Sequence, residues 1–410
     1  MWVFNPLTGE FETTDSYVKP LSKVSIPNWL GLDSNSFRFE GDKTYLNLYI
    51  GNPLWKERLI RDLIKGLRFS YRREVTVTEQ SGNDLMDCQV LIELNSSNFD
   101  FSHSDGNDIR FYNGEVFLPY WVEKWDSVNQ EAKIWVKVPS ISANGTVSFY
   151  MYYGNPVLLS ASSPELTFIR VIDGCVLALP MDEGSGDTVY DKSGNDNDGI
   201  IYGGATWTDG KFSKALDFNG TDGYVRVPND GNLDYDNNSE ITVVAWAKTE
   251  GNTDDHQVVL YHTTSYRGYW LYFKYDQKQW RFLMTDLNAY LIASFYDSDP
   301  YNKWIHLVGT YANNTTELYV NGEKKDEDTK SLFDFSVTSD VFVGSGRGET
   351  YFFNGIIDEA LIFHRVLSEE EIQDLYNYYG YNTENYPGKT LVRKRVNPEP
   401  SVSIGTEETP

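Results

Sequence analysis

The sequence predicts an all-β protein, built from two antiparallel β-sandwiches behind a small α+β N-terminal segment. Strand-sized runs in which apolar and polar residues alternate with period two recur along most of the chain, the pattern of strands with one buried face. Asn, Asp, Gly and Pro separate those runs at short intervals and supply the turns that antiparallel strands need. Aromatic residues make up 15% of the 410 residues, with 29 Tyr and 11 Trp, and such side chains favour pleated, half-buried surfaces. The length calls for more than one compact domain, at about 100 to 200 residues each.

Residues 1–66 form the first segment. Extended runs such as Thr44–Gly51 precede one helix, for which Asn52 is the cap and Pro53 the first-turn residue. Leu59, Ile60, Leu63, Ile64 and Leu67 recur at helical spacing among Lys56, Arg58, Arg61, Lys65 and Arg68, giving a basic amphipathic helix that either packs on a neighbouring acidic sheet with its cations solvated or docks on another subunit as an attachment segment. Residues 69–155 carry six alternating runs: REVTVTE, CQVLIEL, DIRFYNG, VFLPYWVEKW, AKIWVKVP and TVSFYMYYG. They read as the first sandwich. Residues 171–380 carry eleven more, from ALDFNG to GIIDEALIFHR, and read as a jelly-roll sandwich closed by a helix. Ser368 and Glu371 form a capping box there, Leu367 can staple to Ile372, and Gly380 is expected to end it. Residues 381–410 are expected as a tail, one edge strand and a frayed end.

Composition removes several function classes. The formal charge is -25, which argues against nucleic acid, because phosphate contacts need a dense positive patch. The two cysteines, Cys88 and Cys175, are far apart, which excludes a disulfide framework and any metal-type Cys spacing. The N-terminus lacks the basic start and apolar core of a secretory signal, and no apolar run reaches the roughly 18 residues of a transmembrane segment. The expectation is either a mature, unprocessed chain or one that leaves the cell by a route other than a cleavable signal, as a virion protein does.

Resemblance sharpens this reading. YRREVTV, DCQVLIEL, SDGNDIRF, LPYWVEKWD, AKIWVKVPSI and FYMYYGNP together resemble a β-sandwich domain of unknown function found in archaeal and bacterial surface proteins, commonly ahead of a laminin-G-like domain. That implies an extracellular structural module without catalytic residues. DEGSGDTVYDKSGNDNDG, WIHLVGTY with LYVNG, and GIIDEALIFHRVLSEEEI resemble the laminin-G-like, pentraxin-related branch of the concanavalin A-type lectin fold. The opening WVFNPLTGEFE is similar to the first residues of phage tail and virion proteins.

No catalysis is expected. Glucanases of the concanavalin A-type fold carry Glu-x-Asp-x-x-Glu on one strand, so that alternation points three carboxylates into a groove. Here only Glu40 has an Asp two positions on, and Tyr45 stands where the second Glu is needed. The five His (His103, His256, His262, His306 and His364) form no HExxH pair. His306 is expected as a packed, hydrogen-bonded core-strand histidine.

Asp191–Gly204, DKSGNDNDGIIYGG, has the oxygen-rich composition that calcium prefers, yet Asp196 and Tyr202 break the EF-hand order. The residue reading leaves turn-forming Asn and Asp as the alternative to a structural calcium site shared between strands, with Asp191, Asn195 and Asp358 as ligands. Where pentraxins carry acidic calcium ligands, this chain has Arg347, with Glu349 the loop's only carboxylate. Tyr266, Arg267, Arg347 and Tyr351 are the candidate ligand-binding residues, offering stacking faces and charged donors for sugar rings or acidic glycans. Trp270 belongs by alternation to the core or a sheet face. The function expected is a non-enzymatic, adhesive virion component (tail, spike or capsid-associated) that binds glycans or a host surface within an assembly or homo-oligomer. The alternatives are an archaeal or bacterial cell-surface or secreted adhesion protein, or a carbohydrate-binding accessory module.

Overall fold

The computed structural model describes residues 69–410 except 237–238, 252–255, 265–266, 287–288 and 331–336, and before them the backbone of four short strands. These are β1 (Trp2–Asn5), β2 (Glu10–Thr13), β3 (Phe37–Glu40) and β4 (Lys43–Leu46), paired as two antiparallel ribbons. The expected basic helix and Tyr266 lie outside the described residues. The chain divides into two units, 1–167 with 396–410, and 168–395.

The first unit is an antiparallel sandwich. Its strands are β5 (Tyr71–Thr78), β6 (Leu85–Asn95), β7 (Arg110–Tyr112), β8 (Phe117–Leu118), β9 (Tyr120–Asp126), β10 (Glu131–Ile141), β11 (Thr146–Tyr153) and, from the C-terminus, β31 (Ser401–Glu408). One sheet has the order β31-β5-β11-β7-β8 and the other β6-β10-β9. The run VFLPYWVEKW, read as one strand, breaks at Pro119, which has no N–H to give a ladder; β8 joins one sheet and β9 the other. Val75, Val77, Ile92, Phe111, Ile134 and Phe149 are among the side chains filling the space between.

The second unit contains β12 (Arg170–Asp173), β13 (Cys175–Leu179), β14 (Thr188–Val189), β15 (Gly199–Tyr202), β16 (Thr206–Asp209), β17 (Lys214–Asn219), β18 (Tyr224–Val227), β19 (Ile241–Thr249) and β20 (His256–Thr264). There follow β21 (Arg267–Lys274), β22 (Gln279–Thr285), β23 (Tyr290–Tyr296), β24 (Ile305–Ala312), β25 (Thr315–Val320), β26 (Glu323–Thr329), β27 (Val341–Val343), β28 (Asn354–Phe363), β29 (Tyr379–Asn382) and β30 (Lys389–Arg393). Sheet A runs β16-β17-β28-β19-β24-β25-β26, with β13 also paired to β28; sheet B runs β14-β15-β18-β27-β20-β21-β22-β23. Phe218, Val243, Trp280, Phe282, Leu307 and Ile357 belong to the fully buried layer between them. The all-β fold expected from the alternation is therefore present.

The outer face of sheet A is covered. Val244, Val308 and Leu361 pack against Ile372 and Leu375 of the closing helix (Glu369–Asn377) and Val392 of β30. That helix starts as its sequence dictates: Ser368 Oγ accepts from Glu371 N at 3.3 Å, and Glu371 Oε2 accepts from Ser368 N at 2.8 Å. Its end differs from expectation. Tyr378 is the C-cap, with its N–H donating to Asp374 O, while Gly380 lies inside β29, where a Cβ would sit 3.0 Å from Leu375 and from Thr390. Close packing between helix and strand, rather than helix termination, is what requires this glycine.

The tail also differs from the single edge strand expected. β30 is the central strand of a three-stranded sheet, β12-β30-β29, in the second unit, and β31 is the edge strand beside β5 in the first. Neither was separable by alternation alone, because a strand's partner depends on edges built elsewhere in the chain.

Candidate functional site

Sheet B carries aromatic residues on its outer face as well as its inner one. Register places Arg226, Phe342, Tyr261, Trp270, Leu283 and Ile292 in one line across β18, β27, β20, β21, β22 and β23. Their neighbours along each strand, such as Val225, Val343, Tyr269, Leu271, Phe282 and Leu291, point into the core, so alternation sends the whole line outward. Val258, Tyr261 and Tyr272 form a small cluster there, with half-buried Trp270, Leu283 and Phe342 against it. Ring centroids lie 5.1 Å apart for Tyr261 and Trp270, and 5.7 Å for Trp270 and Tyr272. Tyr202 and Tyr224 stack at 5.0 Å nearby, and Tyr224 meets Phe342 at 6.1 Å. Val258, Tyr261 and Tyr272 are themselves buried, so the open part of the strip is half-buried Phe342, Trp270 and Leu283, and an apolar patch left open on a sheet face is a candidate interaction surface.

The turn after β27 borders this strip. Tyr351 is 38% exposed, and its ring lies 5.0 Å from His256 and 5.7 Å from Trp270. Gly348 packs so closely on Tyr224 that a Cβ would fall 2.6 Å from the ring. Arg347 and Tyr351 both have positive φ, 62° and 57°, a backbone region that costs non-glycine residues energy and collects at functional sites. Arg347 is exposed.

The structure brings together only part of the expected ligand set. Arg347 and Tyr351 share this turn, but Arg267 pairs with Thr264 at one end of the β20–β21 hairpin, whereas His256, beside Tyr351, pairs with Lys274 at the other. Arg267 also has the parity of core-facing Tyr269 and Leu271, so it leaves on the face opposite Trp270. Trp270, set aside in the sequence reading, joins the strip. Its indole Nε1 has no partner among the described residues. Its outward orientation could have been inferred only by comparing parity with Tyr269 and Phe273, because both sets are aromatic.

The residues proposed for calcium are engaged otherwise. Asp191 is buried, and its carboxylate is full: Oδ1 accepts from Ala178 N and Ser193 N, Oδ2 from Ser193 Oγ and Asn197 N, all within 3.0 Å. Asn195 turns its amide to Val176 O and Ser193 Oγ. Asp358 Oδ2 accepts from Lys211 N at 2.7 Å and Phe212 N at 3.3 Å. Asp191 and Asn195 meet only through Ser193 Oγ, Asp358 shares no partner with either, and no three Asp, Glu, His or Cys side chains among the described residues group in a way that could hold a metal ion. This donor set does not fit calcium, which needs six to eight free oxygens. Asp191 instead holds the loop through the N–H groups of Ser193 and Asn197 and ties it to β13 through that of Ala178.

Asp358 marks an irregular point of sheet A. The neighbour of β28 changes there from β17, paired through Ile357, to β13, paired from Ala360. On the other side β28 carries one extra residue between Asp358 and Leu361 opposite β19, a bulge in which Glu359 has φ 52°. Both carboxyls are buried. Burial lifts each above the usual carboxylate range, Asp358 to about 7, and each acid adds to the like-charge environment that includes Asp182. His306 is 1% exposed, and burial pushes its pKa down to about 3.

Comparison with known proteins agrees with this architecture. Residues 219–373 match the family model of a laminin-G domain in the concanavalin A-like lectin/glucanases superfamily, and residues 105–176 match a domain of unknown function, DUF2341. No curated protein matches the sequence. Among solved structures, the botulinum neurotoxin serotype D binding domain is 18% identical, with 50% of this chain and 52% of that one covered and a TM-score of 0.42. The binding domain of Paraclostridial Mosquitocidal Protein 1 is 20% identical, with 52% and 55% covered and a TM-score of 0.42. Domain 4 of AbnA, an extracellular arabinanase from Geobacillus stearothermophilus solved with arabinotriose, is 21% identical, with 50% and 98% covered and a TM-score of 0.41. The chain thus spans about half the length of the toxin domains, and likenesses at this level carry no functional conclusion. The family matches do identify its parts: a concanavalin A-like lectin/glucanase-superfamily domain of the laminin-G type, preceded by a domain of unknown function.

Proposed function

We propose that the second unit is a non-catalytic module that binds neutral glycans on the outer face of sheet B. The observation that carries this reading is the pair of half-buried rings Phe342 and Trp270, set in register on either side of buried Tyr261 and extended by Tyr224 and Tyr351. Aromatic faces stack on the apolar faces of sugar rings, and their flat, rigid shape loses little entropy on binding. Neutral ligands are favoured over acidic ones because the cations of this face already have partners. Arg226 Nε meets Asp340 at 2.5 Å, Lys274 meets Asp276 at 3.4 Å, and Arg281 Nε donates to Gln279 Oε1 at 3.0 Å. Arg347 has exposed Glu349 two residues away, in a chain of net charge -25.

The display site in this reading is the outside of a particle or cell. The opening WVFNPLTGEFE supports a virion, where the chain would act as one subunit of an assembly; mass spectrometry of purified particles against cell envelopes separates the two settings. The binding test is a glycan array with the full chain, followed by titration of the best neutral oligosaccharide. Trp270→Ala and Tyr351→Ala should each weaken binding about fivefold, in line with about 1 kcal/mol per aromatic contact, with the exposed Tyr351 site costing the smaller loss of melting temperature. Unchanged affinity in a folded Trp270→Ala protein would remove the face from consideration, and preference for uronate or sulfated glycans would overturn the neutral assignment.

A further inference from the structure

Sheet A contains a second polar site that the glycan reading does not use. Phe212, Val244, Trp246, His306, Glu359, Leu361, Leu375 and Gly380 line a pocket under the closing helix and β29, with about 10 Å³ of water-accessible interior. Two of these side chains are polar and almost wholly buried, Glu359 at 4% and His306 at 1% exposure. Glu359 Oε1 and both ring nitrogens of His306 have no hydrogen-bond partner among the described residues. The imidazole was expected to be packed and hydrogen-bonded. It is packed, against Trp246 at 5.0 Å and Tyr376 at 6.0 Å, and it lines the pocket with neither ring nitrogen paired among the described residues.

Leaving a buried polar atom unsatisfied costs about 1–3 kcal/mol, and one bridging molecule can satisfy Glu359 Oε1 together with one of the two His306 ring nitrogens, which point away from each other. We propose that this pocket binds one ordered water that bridges Glu359 Oε1 to His306 and ties the closing helix and β29 to the bulge in β28. The volume is that of a single water, and a buried water typically makes about three hydrogen bonds. A cation is disfavoured because one is already in place: Lys211 Nζ stands 4.1 Å over the Trp246 ring, and its charge is among the causes that depress His306. Burial lifts the Glu359 carboxyl well above the usual carboxylate range, and the neutral imidazole carries one donor and one acceptor nitrogen, so a neutral partner that both donates and accepts is matched. Buried Glu359 then serves internal hydration, while Asp358, outside the pocket lining, holds the Lys211 and Phe212 N–H groups.

A crystal structure of the full chain at atomic resolution, paired with magnetic relaxation counting of long-lived waters in solution, tests this. The expected result is one fully occupied water within about 3.2 Å of Glu359 Oε1 and of a His306 ring nitrogen. His306→Phe, which fills the space and removes both nitrogens, should lower the count of long-lived waters by one, and Glu359→Gln should retain it. A dry pocket, a direct Glu359–His306 hydrogen bond, or density refining as a metal ion or organic molecule would each overturn the proposal. Should His306→Phe fail to fold, the wild-type density and the Glu359→Gln count decide alone.

Discussion

Replacing Asp191 with alanine separates a turn clamp from a metal ligand. In the structure this carboxylate accepts four hydrogen bonds, three from the backbone N–H groups of Ala178, Ser193 and Asn197 and one from Ser193 Oγ, in a site 2% exposed. Alanine leaves the three buried N–H groups without an acceptor. At about 1–3 kcal/mol for each, with some recovered by water entering the loop, the loss should be about 3–5 kcal/mol. For a unit of 150–250 residues that corresponds to about 6–20 °C in melting temperature. Asp191→Asn should cost less, since its carbonyl can keep the Ala178 and Ser193 bonds while its NH₂ opposes the N–H of Asn197. Scanning calorimetry of the full chain, with and without a chelator, reads all three proteins. Because the carboxylate is already filled, the chelator should leave the wild type unchanged. The reasoning fails if Asp191→Ala melts within a degree of wild type, or if chelation lowers the wild type by as much as the substitution does.

Acid should act on this fold through opposing groups. His262 is fully buried, its Nε2 donates to Ser339 O, and burial lowers its pKa from 6.5 to about 4. Between those values the unfolded chain takes up a proton that the folded one refuses, so about 3 kcal/mol of stability is lost as pH falls from 6.5 to 4. Asp358 works in the other direction, since its raised folded-state pKa gives a stabilisation present in acid and lost as pH rises through about 7. Asp358→Asn should therefore lose stability on acidification more steeply than wild type in urea titrations at pH 7, 5.5 and 4; parallel curves would refute the assignment. Another outcome concerns the sheet edges: Asp326 and Asp328 of β26 accept from Ser294 N and Ile292 N of β23 at 2.8 and 3.0 Å, satisfying N–H groups that would otherwise invite another strand. The double variant Asp326→Ala/Asp328→Ala should raise the mean mass seen by light scattering above that of wild type, and an unchanged mass would show that the edge needs no such cover.

Much of the fold was legible because strand alternation and capping are local. GYWLYFKY and QWRFLMTD became β21 and β22, and Ser368 with Glu371 closed the capping box, since each depends on residues within a few positions. The site was less legible. Tyr351 and Arg347 were recognised from residue type, but Arg267 was grouped with them although its end of the hairpin is about seven residues, or roughly 23 Å of strand, from His256. Trp270 was passed over because a strand with aromatics on both parities gives no sign of which set meets the core.

The sequence by itself determined which segments are strands, where the closing helix begins, and that the chain contains two sandwiches, because these follow from periodicity, turn chemistry and short-range hydrogen bonding. Tertiary structure alone decided that Pro119 passes the chain between sheets, that β31 returns to the first sandwich, that Asp191 clamps a turn, and that the outer face of sheet B leaves Trp270 and Phe342 half open over buried Tyr261 and Tyr272. The physical reason is the same in each case: the partner lies far along the chain, and whether a carboxylate is filled or a ring is covered depends on which distant backbone the fold brings against it.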